Sequence, residues 1–268
     1  MRILEKIKNG VLNVVFPRMC ASCGKEGAYI CKNCELFLGE AALICPVCNV
    51  SSLGGIRHAY CESSRYGLDG LASIWEYEGI VKHLLGQVKY VGITHIVEEL
   101  VRRAFATMAK DQQRFAPFLS FLFEENTVVT YVPIFLRREK WRGFNQAQLI
   151  AREVGKAAGK EVLALLRKTR NTESQTDLDK EQRLQNVKDA FVMNVKGQIP
   201  NVKMPERVVL VDDIWTTGAT MRECCKELKK ALRPIRYTQG RPEEFEGRPG
   251  SGQAGVVKVW GFTLARTP

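Results

Sequence analysis

The sequence predicts an α/β fold, with a parallel sheet and flanking helices, behind a small cysteine-rich module. An apolar run at 208–211 is followed by two acids and a glycine turn, a pattern that predicts a buried strand leading into a helix. A second β-branched run, at 128–132, ends at Pro133, and helical periodicity begins at Phe144. Finally, seven of the nine cysteines lie before residue 62, which sets that part of the chain apart.

Length and composition indicate a globular protein of one or two domains. The 268 residues are 45% hydrophobic and 26% charged, which is ordinary for a chain that buries a sizeable core. Since no apolar run approaches the ~20 residues of a membrane span, no span is expected. The first 19 residues combine basic side chains with a short apolar patch. They predict an amphipathic helix that docks on the body rather than a signal peptide.

The formal net charge of +11 suits polyanionic ligands such as pyrophosphate, and it also suits nucleic acid. Charge alone does not decide between these, and a basic surface without a special ligand is the simplest alternative. The basic residues are spread along the chain with no long tail, which weakens the case for a nucleic-acid-binding arm.

The early cysteines occur in pairs separated by two residues, a spacing that places two thiolates on one side of a tetrahedral zinc ion. Taken in order, they predict two structural zinc sites in a module at 20–66. The first site is Cys20, Cys23, Cys31 and Cys34, and the second is Cys45, Cys48, His58 and Cys61. Interleaved pairing, a redox role for one pair and a surface role for His58 are the alternatives. Free thiols in this pattern predict a reducing, cytoplasmic location.

Asp212 and Asp213 follow the run at 208–211, at the strand end where open α/β sheets bind ligands. The turn after them offers backbone N–H groups and hydroxyls to an anion, and the helix start adds its dipole. Adjacent acids would repel a bare phosphate, but they suit sugar hydroxyls or a metal ion. The stretch therefore predicts a site for a sugar phosphate, and the alternative is a core strand that ends in an acid pair by chance.

A basic loop is expected at 134–147, after the strand at 128–132. Four cations crowd it: Arg137, Arg138, Lys140 and Arg142. Such a group is costly to hold together unless an anion arrives. The loop therefore favours a second anion site, with an ordinary basic surface loop as the alternative.

At 208–220 the sequence, VVLVDDIWTTGAT, resembles the phosphoribosyl pyrophosphate (PRPP) loop of type I phosphoribosyltransferases. The resemblance implies that Asp212 and Asp213 contact the ribose hydroxyls, with Mg²⁺ carried by the pyrophosphate. It also implies that Arg138 and Arg142 stabilise the leaving pyrophosphate. The 5′-phosphate would be cradled by Thr216, Thr217, Gly218, Ala219 and Thr220.

A module resembling a double zinc ribbon followed by a PRPP loop is the layout of the ComF/GntX family, which the chain resembles. The residues of the family's R.T..QT.L....RL.NV..AF pattern occur in the same order, with a longer gap before the Gln, at Arg167, Thr169, Gln175, Thr176, Leu178, Arg183, Leu184, Asn186, Val187, Ala190 and Phe191. This polar segment is expected to form a lid that brings Lys168 or Arg170 to the pyrophosphate. The stretch at 233–255 departs from the family and, being rich in Gly, Pro and charge, predicts a flexible insertion.

Two functions follow from the resemblance. In the first, the domain at 67–268 transfers a phosphoribosyl group from PRPP or a related sugar phosphate to an unidentified acceptor, with Asp212, Asp213, Arg142 and Lys168 as catalytic residues. In the second, the chain is a non-enzymatic protein of the competence machinery that binds single-stranded DNA or other competence proteins, because ComF relatives are associated with DNA uptake. Fold resemblance alone does not decide between them.

Overall fold

A sheet of four parallel strands lies at the centre of the structure. The computed structural model describes residues 17–62, 64, 66–172, 180–194, 205–232, 236–238, 241–243 and 257–268. In chain order the strands are β1 (Gly70–Glu76), β2 (Thr127–Tyr131), β3 (Leu166–Lys168), β4 (Phe191–Met193), β5 (Arg207–Trp215), β6 (Arg236–Thr238), β7 (Arg241–Glu243) and β8 (Lys258–Arg266). The central sheet has the order β1-β8-β5-β2, and β3 with β4 forms a separate antiparallel pair.

Helices cover both faces of this sheet. They are α1 (Lys32–Glu35), α2 (Gly79–Gly86), α3 (His95–Lys110), α4 (Gln112–Phe123), α5 (Leu136–Arg142), α6 (Gln146–Ala158), α7 (Lys180–Val187) and α8 (Ala219–Ala231). A π-helical turn, Gln87–Val91, follows α2. The α/β class with a parallel sheet and flanking helices, predicted from the sequence, is confirmed.

Strand β5 is buried on both faces, which explains its unbroken apolar run. Val208 and Leu210 pack in the hydrophobic cluster that includes α8, while Val209 and Val211 pack in the cluster that includes α3 and α4. All four side chains are fully buried. Since neighbouring side chains on a strand point to opposite faces, an unbroken apolar run marks the strand with helices on both sides.

Three expected segments lie largely outside the described residues. They are the amphipathic helix at 1–19, of which only 17–19 are described, the middle of the proposed lid at 173–179, and most of the insertion at 233–255. Gln175, Thr176 and Leu178 fall in the second of these. Within the third, β6 and β7 pair as an antiparallel two-stranded sheet.

The first cysteine group is fixed to α3 by a buried ionic network. Arg103 pairs with Glu99 at 3.0 Å and with Glu35 of the cysteine module, and it donates a hydrogen bond to the carbonyl of Ile30. Glu99 in turn accepts the backbone N–H groups of Tyr29 and Ile30, each at 3.4 Å. The chain segment that carries the first cysteines is thereby attached to the sheet domain.

The Arg103→Ala variant is expected to lower the free energy of unfolding by about 3 kcal/mol, because it leaves two acids near a buried surface without their cation. Urea denaturation of the metal-loaded protein measures this. Arg102→Ala is the matched control, since Arg102 is exposed on the same helix, and a change within about 0.5 kcal/mol is expected there. Equal effects of the two variants would show that the network does not stabilise the fold.

Candidate functional site

Strand β5 continues through the acid pair and ends at Trp215. On one side, pairing with β8 continues from Asp212, opposite Thr263, to Trp215. On the other side, pairing with β2 ends at Val211, whose carbonyl accepts the N–H of Val132 at 2.9 Å. The acids are therefore held in a regular strand, but they lie beyond the end of β2 at the carboxyl edge of the sheet.

The two carboxylates also act on the local backbone. Asp212 Oδ1 accepts the N–H of Asp213 at 2.9 Å, and Asp213 Oδ1 accepts the N–H of Ile214 at 2.8 Å. Burial raises the pKa of Asp212 well above its ordinary value, and the charge of Asp213 raises it further. The pair therefore favours a ligand that brings a hydrogen-bond donor or a cation to this edge.

The turn after β5 requires a glycine. Gly218 has φ 75°, in the left-handed region, and a Cβ atom there would lie 2.2 Å from the ring of Trp215. Gly218 precedes the first residue of α8, whose N-terminus therefore points its positive dipole end into the turn. Thr216 and Thr217 are partly exposed beside it. This arrangement of amides and hydroxyls suits an anion.

The expected basic loop contains a helix, because α5 occupies Leu136–Arg142. Its residues are mostly good helix formers, and Gly143, at φ 84°, ends it. The buried Asn145 fixes the segment to the sheet. Its Nδ2 donates to the carbonyl of Val132 at 3.0 Å, and its Oδ1 caps α6 by accepting the N–H of Ala147 at 3.0 Å.

Arg138 and Lys168 meet at one residue, the buried Thr172. Arg138 donates to the Thr172 carbonyl at 2.9 Å, and Lys168 Nζ donates to its hydroxyl at 2.7 Å. Burial lowers the pKa of Lys168 to about 8, while the charge of Arg138 lowers it and that of Asp212 raises it. Lys168, which was predicted from sequence, therefore lies within electrostatic reach of two other predicted residues, Arg138 and Asp212.

The other predicted cations are placed differently. Arg142 is partly buried, and its Nε has no hydrogen-bond partner among the residues that the structure describes. Arg170 donates to the carbonyl of Lys188 at 2.7 Å, in the turn that follows α7. Of the two candidates for the lid cation, Lys168 is therefore the one whose amine is held beside Arg138.

The cysteine module brings together the two ligand groups expected from consecutive pairing. In each group the four ligand atoms lie within 4.8 Å of one another, as tetrahedral zinc with Zn–S bonds of ~2.3 Å requires. In the second group His58 Nδ1 lies 3.4 Å from Cys48 Sγ. Both groups could therefore hold zinc, one with four thiolates and one with three thiolates and an imidazole.

Sequence reasoning missed three residues that organise this edge. Asn145 could have been found, since an Asn immediately before a helical run is a strong N-cap signal. Thr172 and Arg222 carry no such signal. Arg222, on the first turn of α8, donates to the carbonyl of Thr217 at 3.0 Å. Its guanidinium also donates to Pro46 and Asn49, which are far away in sequence.

Comparison with known proteins finds that the chain is similar to competence proteins and to a DNA utilization protein. No family model matches it. It is 36% identical over 101 residues to competence protein F of Haemophilus influenzae, covering 37% of this chain and 42% of that protein. It is 25% identical over 224 residues to competence protein ComFC of Bacillus subtilis, covering 80% and 85% of the two chains. It is 26% identical over 221 residues to the DNA utilization protein YhgH of Salmonella typhimurium, covering 79% and 91%.

The resemblance to the ComF/GntX family that the motifs predicted is confirmed by these relatives and by the two ligand groups. The match to the Haemophilus protein spans less than half of that protein's length, whereas the other two extend over most of both chains. Among the described residues, no helix has the length and apolar character needed to cross a bilayer.

The purified protein is expected to contain two zinc ions per chain, and Cys48→Ala is expected to reduce this to one by removing a ligand of the second group. Elemental analysis by mass spectrometry, after removal of loosely bound metal, measures the content. Cys225→Ala is the control, because Cys225 is buried in α8 outside both groups. A content that is the same in both variants would argue against metal at the second group.

Proposed function

We propose that the chain binds PRPP or a closely related sugar phosphate at the carboxyl edge of β5 and β2 and acts as a phosphoribosyltransferase. The observation that carries this proposal is that Arg138 and Lys168 both donate to Thr172, while the charge of Asp212 reaches the Lys168 amine and raises its pKa. An acid pair, a buried amine and a guanidinium at one edge match a ligand that has hydroxyls at one end and a pyrophosphate at the other.

The ligand's 5′-phosphate is assigned to the turn between β5 and α8. Gly218 allows the backbone to approach closely, and the N-terminus of α8 adds a favourable dipole. Asp212 and Asp213, at the adjoining end of β5, accept hydrogen bonds from the ribose hydroxyls. The turn residues that hold the phosphate are Thr216, Thr217, Gly218, Ala219 and Thr220.

The pyrophosphate is assigned to the cations on the β2 side. Thr172 holds Arg138 and Lys168 in place before a ligand arrives, so little reorganisation is needed. The buried Nε of Arg142 is a donor whose desolvation is compensated when an acceptor reaches it. Mg²⁺, a cation that prefers oxygen ligands, would accompany the pyrophosphate and neutralise part of its charge.

In the proposed reaction, the bond between ribose C1 and the pyrophosphate oxygen breaks, and its electron pair leaves with pyrophosphate. A lone pair of the acceptor forms the new bond to C1 through an oxocarbenium-like transition state. Asp212 and Asp213 orient the ribose, while Arg142 and Lys168 stabilise the charge that develops on the leaving group. Positioning and charge stabilisation account for the rate, with no covalent step on the protein.

The names of the relatives, competence proteins and a DNA utilization protein, support a place for this chain in the uptake or use of DNA. Zinc at the two ligand groups is proposed to be structural, because each group supplies four protein ligands and leaves no open position for a substrate.

A second function, binding of single-stranded DNA without transfer chemistry, is favoured by exposed aromatic side chains next to cations. Trp141 is 85% exposed and Tyr90 is 74% exposed. Lys89 lies over the Tyr90 ring, 5.3 Å from its centroid, and Lys140 precedes Trp141 in α5. Bases stack on such rings while the cations contact the phosphates.

The Asp213→Asn variant is expected to bind PRPP about 10- to 100-fold more weakly, because it removes a charged acceptor from the ribose site. Calorimetry with Mg²⁺ and PRPP measures this, and pyrophosphate release across a pool of bases and small amines then tests transfer. Glu98→Gln is the control, since Glu98 is exposed on α3. Undiminished binding by Asp213→Asn would exclude the assigned site.

The same variant separates the two functions. A gel shift of single-stranded DNA that weakens with salt and persists in Asp213→Asn, in a protein that shows no saturable PRPP binding, would establish strand binding in place of transfer. Saturable PRPP binding with pyrophosphate release would establish the enzyme.

PRPP affinity is expected to fall as pH rises past about 8. The pKa of Lys168 is lowered to about 8, so the amine is charged below that pH and loses its attraction for pyrophosphate above it. Calorimetry between pH 7 and 9.5 measures the profile. Lys168→Arg stays charged throughout and should remove most of the pH dependence. Identical profiles for the two proteins would show that Lys168 does not contact the anion.

A further inference from the structure

Arg222 connects the second ligand group to the turn between β5 and α8. We propose that it is a positioning residue through which a metal ion at Cys45, Cys48, His58 and Cys61 orders the phosphate-binding turn. The effect on ligand binding rests on the proposed function. The ordering of the turn is a property of the ligand-free protein and can be measured on its own.

On one side, Arg222 contacts the segment that carries Cys45 and Cys48. Its Nε donates to the carbonyl of Pro46 at 2.7 Å, and its Nη2 donates to Oδ1 of Asn49 at 2.9 Å. Pro46 lies between the two cysteines and Asn49 directly follows the second. Two of the three guanidinium nitrogens are therefore directed at the metal-binding turn.

On the other side, Arg222 contacts the phosphate-binding turn. Its Nη1 donates to the carbonyl of Thr217 at 3.0 Å. Its guanidinium lies over the ring of Trp215, 5.3 Å from the ring centroid, and that ring packs where a side chain on Gly218 would otherwise lie. The guanidinium is planar and rigid. The positions of Pro46 and Asn49, which accept from Nε and Nη2, therefore determine where Nη1 points toward Thr217.

The location of Arg222 is unfavourable without these contacts. A cation on the first turn of a helix is opposed by the helix dipole, and Arg222 is also partly buried. Its contacts on two separate segments offset this cost. The positive charge also adds to the attraction of the turn for a phosphate.

The acceptors of Arg222 depend on the shape of the metal-binding turn. Asn49 has φ 62°, in the left-handed region, and its N–H donates to the carbonyl of Cys45 at 2.9 Å. A metal ion held by Cys45 and Cys48 cross-links this turn, and a small thiolate site loses its defined conformation when the metal leaves. Loss of the second metal would therefore release Pro46 and Asn49, and with them Arg222.

The first ligand group offers an internal comparison. It is fixed to α3 through Arg103 and Glu99, at a different part of the sheet domain. Both groups present ligands suited to zinc. Arg222 joins the second group, and not the first, to the turn at 216–220. Loss of the first metal should therefore leave that turn unchanged.

Hydrogen exchange of the metal-loaded, ligand-free protein, followed by mass spectrometry of the peptide that spans 214–221, tests the proposal. Arg222→Gln is expected to raise its exchange rate roughly tenfold, the change expected for loss of one charge-assisted hydrogen bond, with both metals retained. Asn49→Ala removes one acceptor only and should give a smaller rise. Lys230→Gln, exposed on the same helix, is the control and should give none.

Removal of the second metal completes the test. Cys48→Ser is expected to raise the hydrogen-exchange rate of the 214–221 peptide to the level seen in Arg222→Gln. The double variant should exchange little faster than either single variant. Cys23→Ser, in the first group, should not alter this peptide. Unchanged exchange in both Arg222→Gln and Asn49→Ala would overturn the proposal. Equal effects of Cys23→Ser and Cys48→Ser would do so as well.

Hydrogen exchange is measured on the protein without PRPP, so its result does not depend on whether PRPP binds. If the proposed function is also correct, Arg222→Gln should weaken PRPP binding about tenfold while Lys230→Gln leaves it unchanged. If Arg222→Gln exchanges faster but the wild type does not bind PRPP, the role of Arg222 in ordering the turn is supported and the proposed transferase function is excluded. If the wild type binds PRPP strongly but Arg222→Gln does not change the exchange rate, the PRPP site is supported and the role of Arg222 in ordering the turn is excluded.

Discussion

The unequal pairing of β5 with its two neighbours is the constraint on which the candidate site depends. β8 pairs with β5 as far as Trp215, whereas β2 leaves it at Val211. The acid pair is therefore held rigidly from one side and open on the other. The chain that leaves β2 passes next to this open side, where the N–H of Val132 donates to the carbonyl of Val211, and it then forms α5.

The cysteine module extends this arrangement. Its first ligand group is anchored on α3 by the buried Arg103, and its second is joined to the turn at 216–220 by Arg222. Both anchors are arginines that donate to backbone carbonyls on the module. Arginine suits this role because its planar group presents several donors in a fixed geometry. The module thus packs into the same hydrophobic cluster as α3 and α4, and it also contacts the turn at 216–220 through Arg222.

The parts of the structure that sequence could predict are those set by local signals. The apolar run at 208–211, the glycine turn and the spacing of the cysteines each carry their information within a few residues. The strand, the turn and the grouping of the eight ligand residues that they predict are all found in the structure. The continuation of β5 through Asp212 depends on β8, about 50 residues later in the chain. The roles of Thr172 and Arg222 depend on partners that only the folded chain brings near them. Local patterns predict elements, whereas contacts between distant segments decide how the site is held.

We propose that the carboxyl edge of the sheet holds a pentose between the acids of β5 and the cations beside α5, with its phosphate on the turn before α8. A crystal structure of the zinc-loaded protein grown with Mg²⁺ and PRPP tests it most directly. We expect the 5′-phosphate on the backbone amides of residues 216–220, the ribose hydroxyls within hydrogen-bonding distance of Asp212 and Asp213, and the pyrophosphate against Arg138. PRPP bound elsewhere on the chain, with this edge of the sheet filled only by solvent, would contradict the claim.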